Sequence, residues 1–199
     1  MLPRTSVSHP LFIDSVQPGD STGLIGMTLC PGKTDPHAME GAWERDLNLD
    51  LDAVLGWGAT TVVSLITNGE FQGLKIPGLT FAEGVESRGL KWFHLPIVDG
   101  QAPDDEFKNK WIQAGRQVRA ILNGGNNVVI HCRGGLGRAG TLAAQVLIEY
   151  GSTPDEAILR VRRSRKGAIE TQVQLDYLHS LSPPVDGDGG PGMGVGKKR

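Results

Sequence analysis

The sequence lacks the features that mark disulfide-rich, zinc-binding and membrane-spanning proteins. Its 199 residues include two cysteines, Cys30 and Cys132, which are too few for a disulfide framework and do not form a C-x-x-C pair for zinc. No apolar run approaches the roughly 20 residues that a membrane-spanning helix needs. Residues 1–16 contain no basic lead followed by an apolar core, so no signal peptide is expected. We expect a cytoplasmic protein with no membrane association.

The chain also has little excess charge of either sign. Its 20 Lys and Arg residues and 22 Asp and Glu residues leave a formal charge of -2, which disfavours nucleic acid as a partner because that role usually needs a strongly basic surface. A hydrophobic fraction of 39% supports one domain with a real core. We expect this domain over residues 1–182, monomeric by default, and a disordered Gly/Pro-rich tail over residues 183–199.

Strand-like and helical patterns alternate along the chain. Apolar or β-branched runs predict strands over residues 24–29, 60–66, 90–95 and 128–131. Apolar residues at helical spacing and capping signals predict helices near Leu47 and over residues 81–88, 104–122, 141–150, 153–164 and 171–181. This alternation predicts a single α/β domain with a central, mainly parallel sheet flanked by helices.

A glycine-rich loop, HCRGGLGR at residues 131–138, connects the last predicted strand to an apolar helix. Three glycines within four positions let the backbone curl so that its N–H groups point inward. The N-terminus of the following helix adds further N–H groups and a positive dipole end. The loop therefore predicts a binding site for a tetrahedral oxyanion, formed by Arg133, Gly134, Gly135, Leu136, Gly137 and Arg138.

Two side chains of this loop suggest chemistry as well as binding. Cys132 lies at the base of the loop, where the same positive field favours its thiolate form. Arg138 carries a planar fork that binds two phosphate oxygens at once. A thiolate facing an anion site predicts attack on phosphorus through a cysteinyl-phosphate intermediate. The alternative is that Cys132 is a buried core thiol.

Cys-x5-Arg after a strand resembles the signature of the protein tyrosine and dual-specificity phosphatases. Together with PIVDG at residues 96–100 and GAIET at residues 167–171, the loop most resembles the kinase-associated phosphatase branch, and the match spans about residues 24–178. The resemblance implies a dual-specificity-phosphatase-like fold and a protein phosphatase that acts on phosphotyrosine, phosphoserine or phosphothreonine. The resemblance also implies a phosphoprotein substrate and a reaction that uses no metal and no organic cofactor.

The resemblance also implies a general acid that protonates the leaving oxygen from a mobile loop. Asp99 matches the family position. Asp104 is the rival, because some relatives place the acid later in this loop. The same residue would equally serve as the N-cap of the long helix that follows.

Supporting roles carried over from the family each have a structural alternative. His131 either holds the loop and tunes the thiolate or is a satisfied buried histidine. Gln174 either positions the hydrolytic water or completes a capping box with Thr171. The family usually has a Ser or Thr hydroxyl after the signature Arg, but this chain has Ala139 there, so Thr141 either substitutes or only packs in the helix. We expect a slower second step as a result.

Several charged residues and Cys30 leave two interpretations open. Glu170 stands where many relatives have Gln, and would repel a phosphate if it points inward. Arg133 points either to the substrate or to solvent. Cys30 is either a buried thiol or a disulfide partner of Cys132. A basic run forms either a solvated helix face or a surface that recruits an acidic phosphoprotein segment; it consists of Arg160, Arg162, Arg163, Arg165 and Lys166.

Three other function classes fit parts of the pattern. A phosphate-binding pseudophosphatase would bind phosphopeptides without turnover. An RNA 5'-triphosphatase is disfavoured by the near-neutral charge. Thiol redox chemistry such as arsenate reduction needs a nearby resolving cysteine, for which only Cys30 is available.

Overall fold

A computed structural model describes residues 2–38 and 41–183. The described chain contains seven strands, and their bounds are β1 Asp14–Val16, β2 Ile25–Thr28, β3 Thr34–Asp35, β4 Trp43–Glu44, β5 Ala59–Ser64, β6 Lys91–His94 and β7 Asn127–His131. It also contains seven helices, and their bounds are α1 Leu47–Gly56, α2 Asn68–Gly73, α3 Gly78–Glu86, α4 Asp105–Asn123, α5 Gly137–Glu149, α6 Pro154–Ser164 and α7 Gln172–His179.

The central sheet has five strands in the order β1-β2-β7-β5-β6. Strands β2, β7, β5 and β6 are parallel to one another, whereas β1 pairs antiparallel with β2 at the edge. Val128, Val129 and Ile130 of β7 are fully buried at the sheet centre, as expected for a parallel strand covered on both faces. The predicted α/β fold with a mainly parallel sheet flanked by helices is confirmed.

Helix α5 is the most deeply buried helix of the described chain, and it starts earlier than the sequence predicts. All its residues from Gly137 to Ile148 are buried, and it begins at Gly137 rather than at Thr141. The low helix propensity of glycine favoured a loop at Gly140. A Cβ at this position would lie 2.8 Å from the Cβ of Ala168, so close packing explains why a glycine stands within the helix. The early start brings the first turn of α5 directly against the glycine-rich loop.

The sequence pattern did not reveal β1, the two-stranded ribbon of β3 and β4, or α2. These elements are two to six residues long, so they carry no measurable periodicity. The capping boxes at Thr153 and Thr171 are both present. A third, formed by Thr67 and Glu70, opens α2.

No helix within residues 2–38 and 41–183 is long and apolar enough to span a membrane. Residues 184–199 of the predicted tail lie outside the described part of the chain, and the boundary at residue 182 stays a prediction.

Candidate active site

The glycine-rich loop follows β7 at the carboxyl edge of the sheet. Gly135 has a φ of +75°, and a Cβ there would lie 2.3 Å from the carbonyl carbon of Thr28 and 2.5 Å from the nitrogen of Leu29. Only glycine fits a backbone that passes this close to the end of β2. The parallel pairing of β2 with β7 thus fixes the path of the loop.

Cys132 lies at the base of this loop, as the sequence predicts. Cys132 is 3% exposed, and its Sγ accepts a hydrogen bond from the backbone N–H of Gly135 at 3.1 Å. The backbone N–H of Gly135 therefore points toward the sulfur inside the loop.

Arg138 is 1% exposed and extends from the first turn of α5. Its Nη1 and Nη2 donate to the two carboxylate oxygens of Glu70 at 2.8 and 2.7 Å. Nη1 also donates to the carbonyl of Ile97 at 2.9 Å, and Nη2 lies 2.8 Å from Oδ1 of Asp99. Nε, which is buried, has no hydrogen-bond partner among the described residues.

Glu70 is a site residue that sequence reasoning missed. Burial alone raises the pKa of its carboxyl group, but hydrogen bonds from Arg138 and Thr67 outweigh burial, so the pKa lies below its usual value. The carboxylate also accepts the backbone N–H of Thr67 at 2.9 Å. The T-x-x-E spacing at residues 67–70 was a usable signal for the helix start, but nothing local indicated the pairing with Arg138.

Asp99 and Asp104 occupy different environments. Asp99 reaches the guanidinium of Arg138, although its side chain is 71% exposed. Asp104 is the N-cap of α4, where its Oδ1 accepts the backbone N–H of Phe107 at 2.8 Å. The structure therefore brings Asp99 to the loop and assigns Asp104 to a helix end.

The N-terminus of α7 contacts the segment that carries Asp99. The hydroxyl of Thr171 donates to the carbonyl of Gly100 at 2.9 Å, and Nε2 of Gln174 donates to the carbonyl of Gln101 at 3.3 Å. Gln174 is 1% exposed and completes the capping box with Thr171. Both polar atoms of the Gln174 side-chain amide, Oε1 and Nε2, thus have protein partners.

His131 is buried and belongs to a chain of hydrogen bonds. Nε1 of Trp92 donates to Oγ of Ser64 at 2.8 Å, and that oxygen lies 2.6 Å from Nε2 of His131. Nδ1 of His131 lies 3.4 Å from the carbonyl of Cys132. Burial lowers the pKa of His131 to about 3, so the ring is neutral and has one N–H. A carbonyl only accepts, and the proton therefore belongs on Nδ1, with the Ser64 hydroxyl donating to Nε2.

Helix α5 offers no hydroxyl to the sulfur at positions 139 and 141. Ala139 is fully buried, and the hydroxyl of Thr141 donates to the carbonyl of Gly137 at 2.8 Å. Thr141 therefore bonds within the helix. The carboxylate of Glu170 lies beside Gly137, 2.5 Å from where a Cβ would be.

Arg133 points neither freely to solvent nor to the centre of the loop. Its Nη2 donates to Oδ2 of Asp35 at 2.8 Å, and its side chain is 44% exposed. Burial raises the pKa of Asp35, but the hydrogen bond and charge of Arg133, the backbone N–H of His37 and the charge of Lys33 together outweigh burial, so the pKa lies below its usual value. The backbone N–H of Arg133, rather than its guanidinium, is left for an anion in the loop.

The predicted basic run is mostly structural. Arg165 donates to the carbonyls of Gly134 and Gly135 and to Oδ2 of Asp14. Arg162 donates to the carbonyls of Ala168 and Ile169. Neither interpretation of the run, a solvated face or a recruiting surface, anticipated that Arg165 holds the carbonyl side of the loop.

Cys30 lies beside the loop in a fully buried position. Its backbone N–H donates to the carbonyl of Arg133 at 3.4 Å. Burial and the neighbouring Cys132 raise the pKa of the Cys30 thiol. This placement fits the interpretation of a buried thiol.

Known proteins share this sequence pattern. A family model described as "Swiss Army Knife protein, DSP-PTPase phosphatase domain" matches residues 34–184. Cyclin-dependent kinase inhibitor 3 of Sus scrofa is 32% identical over 140 residues, which are 69% of this chain and 64% of that protein. Protein tyrosine phosphatase type IVA 3 of Mus musculus is 34% identical over 127 residues, which are 64% of this chain and 66% of that protein. The matches thus span just under two thirds of these relatives.

Solved structures share the fold. Kinase associated phosphatase, with a serine in place of its catalytic-site cysteine, superposes with a TM-score of 0.74 at 25% identity, covering 85% of this chain and 93% of that chain. Tk-PTP in its active form gives a TM-score of 0.60 at 28% identity, covering 83% and 96%. These matches confirm the resemblance identified from the three motifs. The chain therefore belongs to the DSP-PTPase family of protein tyrosine and dual-specificity phosphatase domains.

Proposed function

We propose that this chain is a protein phosphatase that hydrolyses phosphate monoesters through a cysteinyl-phosphate intermediate. The observation that carries the proposal is Nε of Arg138, a buried donor that has no partner within residues 2–38 and 41–183 and that belongs to the same loop as Cys132. A buried donor without a partner costs about 1–3 kcal/mol. An oxyanion in the loop would remove this cost by accepting the Nε proton.

The backbone N–H groups of the loop complete the anion site. We assign phosphate binding to the backbone of Arg133, Gly134, Gly135, Leu136, Gly137 and Arg138, and to the Arg138 guanidinium. Nε is free, and Nη2 becomes free when Asp99 moves away. Two parallel N–H donors then face two phosphate oxygens, a geometry that guanidinium provides and ammonium does not.

In the first step the Cys132 thiolate attacks phosphorus. The S–P bond forms while the P–O ester bond breaks, and Asp99 donates a proton to the leaving oxygen. The 71% exposure of Asp99 supports this role, because the carboxyl group can reach a substrate oxygen outside the loop.

In the second step water attacks phosphorus and the S–P bond breaks. Asp99, now a carboxylate, takes the proton from water, and phosphate leaves. The departing thiolate accepts the Gly135 N–H, while Ala139 and Thr141 offer it no hydroxyl. With Gln174 engaged in the cap of α7, we expect this step to limit turnover.

The substrate is a phosphoprotein carrying phosphotyrosine, phosphoserine or phosphothreonine, and the enzyme is cytoplasmic. Two relatives have names that connect them with kinases, so a phosphorylated kinase segment is one substrate to test.

The test is hydrolysis of a small aryl phosphate in the presence of EDTA. We expect Cys132→Ser to abolish turnover and Arg138→Lys and Asp99→Asn each to lower it by about 100-fold. Asp104→Asn is the matched control for Asp99→Asn and is expected to stay within about twofold of wild type, because Asn also serves as an N-cap. Phosphoprotein candidates can then be captured with Cys132→Ser.

Two results would contradict the proposal. A folded wild type that binds phosphopeptides without turnover would be a pseudophosphatase. Release of phosphate from triphosphorylated RNA, with no hydrolysis of aryl phosphates, would indicate an RNA 5'-triphosphatase.

A further inference from the structure

The segment that follows Asp99 is fastened to the start of α7. Thr171 donates its hydroxyl proton to the carbonyl of Gly100 at 2.9 Å, and Gln174 donates Nε2–H to the carbonyl of Gln101 at 3.3 Å. We call these two hydrogen bonds the loop tether. They hold the two residues that come directly after Asp99.

The loop tether shares its atoms with the cap of α7. The Thr171 oxygen that donates to Gly100 also accepts the backbone N–H of Gln174 at 3.3 Å. Oε1 of Gln174 accepts the backbone N–H of Glu170 at 2.9 Å and that of Thr171 at 3.3 Å. The tether is therefore rigid, because its donors are fixed by a helix end and Gln174 is buried.

The Asp99 side chain itself has an attachment that a bound phosphate would displace. Its carboxylate contacts the guanidinium of Arg138, and this contact uses the Nη2 donor that a bound phosphate needs. When phosphate takes that donor, the side chain loses the contact, and the backbone at Gly100 and Gln101 remains to fix its position.

We propose that Thr171 is a positioning residue for the general acid: its hydroxyl holds the backbone after Asp99 so that the carboxyl group stays within reach of the leaving oxygen. This inference rests on the proposed phosphatase function. Proton transfer needs hydrogen-bond distance between acid and leaving group, and a displacement of about 1 Å can cost about 100-fold in rate.

Four variants separate the tether from the cap. Thr171→Ser keeps both the donor and the cap acceptor. Thr171→Asp keeps an acceptor for the cap but has no proton for Gly100. Thr171→Val loses both. Thr153→Val removes the equivalent hydroxyl from the capping box of α6, where Oγ1 of Thr153 accepts the backbone N–H of Glu156. Because Thr153 is far from Asp99 in sequence, this variant controls for the loss of a helix cap alone.

The readout is kcat/KM on two aryl phosphates, one with a weakly acidic phenol as leaving group and one with a strongly acidic phenol. Only the first needs a proton from Asp99. We expect Thr171→Val and Thr171→Asp to lose about tenfold on the first ester and less than about twofold on the second. Thr171→Ser and Thr153→Val should stay within about twofold of wild type on both. On the Asp99→Asn background, Thr171→Val should add no further loss, because the group that it positions is gone.

Equal losses on both esters, an additive loss on the Asp99→Asn background, or a Ser variant as impaired as Val would overturn the proposal. Hydrogen exchange of residues 98–103 tests the tether independently of turnover. We expect about tenfold faster exchange in Thr171→Val and no change in Thr153→Val. Unchanged exchange in Thr171→Val refutes the tether, whereas a wild type inactive on both esters refutes the phosphatase function.

Discussion

Oδ1 of Asp99 lies 2.8 Å from Nη2 of Arg138, so the proposed acid and the proposed anion-binding group are paired with each other before a substrate arrives. Four of the five guanidinium N–H directions of Arg138 face Glu70, Ile97 or Asp99, and the fifth, on Nε, has no partner in the part of the chain that the structure describes. A phosphate that binds through Nε and Nη2 must therefore displace the Asp99 carboxylate.

We predict that Asp99→Asn binds inorganic phosphate more tightly than wild type. The substitution removes a negative charge that competes for Arg138, and a partly exposed charge contact of this kind is worth about 1 kcal/mol, or about fivefold in Kd. Titration calorimetry with inorganic phosphate measures the change. Asp104→Asn should leave the affinity unaltered, and equal or weaker binding by Asp99→Asn would show that the two groups do not compete.

Arg165 should affect the loop although it lies outside it. Arg165→Gln removes the donors that hold the carbonyls of Gly134 and Gly135. The N–H groups in the same peptide planes, those of Gly135 and Leu136, then lose a fixed inward direction. We expect kcat/KM on an aryl phosphate to fall about tenfold, or about 1.4 kcal/mol. Arg163→Gln, two residues away on an exposed position, is the matched control. Equal effects of the two changes would argue for general charge rather than loop geometry.

Removing the charge of Glu70 should weaken both the fold and the site. Glu70→Gln replaces a bidentate ionic pair with a neutral amide that can accept on one atom only, at a cost of about 2 kcal/mol in the free energy of unfolding. Arg138 would lose its alignment, and we expect kcat/KM to fall about tenfold. Urea unfolding and steady-state kinetics measure the two effects, with Glu83→Gln on the exposed face of α3 as the control. A fully active Glu70→Gln enzyme would show that Arg138 is aligned by other contacts.

His131 should make stability depend on pH. Its pKa is lowered by burial from 6.5 to about 3, so between these values the unfolded chain binds more protons than the folded one. Stability is then complete above pH 6.5 and falls as the pH falls toward 3, by up to about 1.4 kcal/mol per pH unit.

Comparison with His131→Asn isolates this contribution. The variant should show a flatter loss of unfolding free energy between pH 6 and pH 4 than wild type, measured by urea titration. His179→Gln, at an exposed position, should keep the wild-type slope. Parallel slopes for wild type and His131→Asn would mean that His131 is protonated in the folded protein.

The sheet and the loop were predictable because their signals are local. The uninterrupted apolar residues of β7 indicate a buried strand, and the three glycines that follow Cys132 indicate a curled backbone. The start of α5 was not predictable, because Gly137 and Gly140 are helical only through packing against residues distant in sequence.

The side chains that bind the loop residues were likewise not predictable from the sequence. Glu70 lies 68 positions before Arg138, and its T-x-x-E motif has a sufficient local explanation as a capping box. Arg165 stands in a basic run whose periodic spacing resembles a solvated helix face. Contacts of this kind depend on which strands lie side by side, and the sequence pattern does not specify that order.

The crowding at Gly135 divides the loop into a fixed part and an adaptable part. Thr28 and Leu29 occupy the space that a side chain at position 135 would need, whereas a Cβ at Gly134 would meet no atom of the described residues within 4 Å. Position 134 therefore accepts a side chain, whereas position 135 does not. A residue introduced at 134 would extend into open space and leave the strand packing beside Gly135 intact.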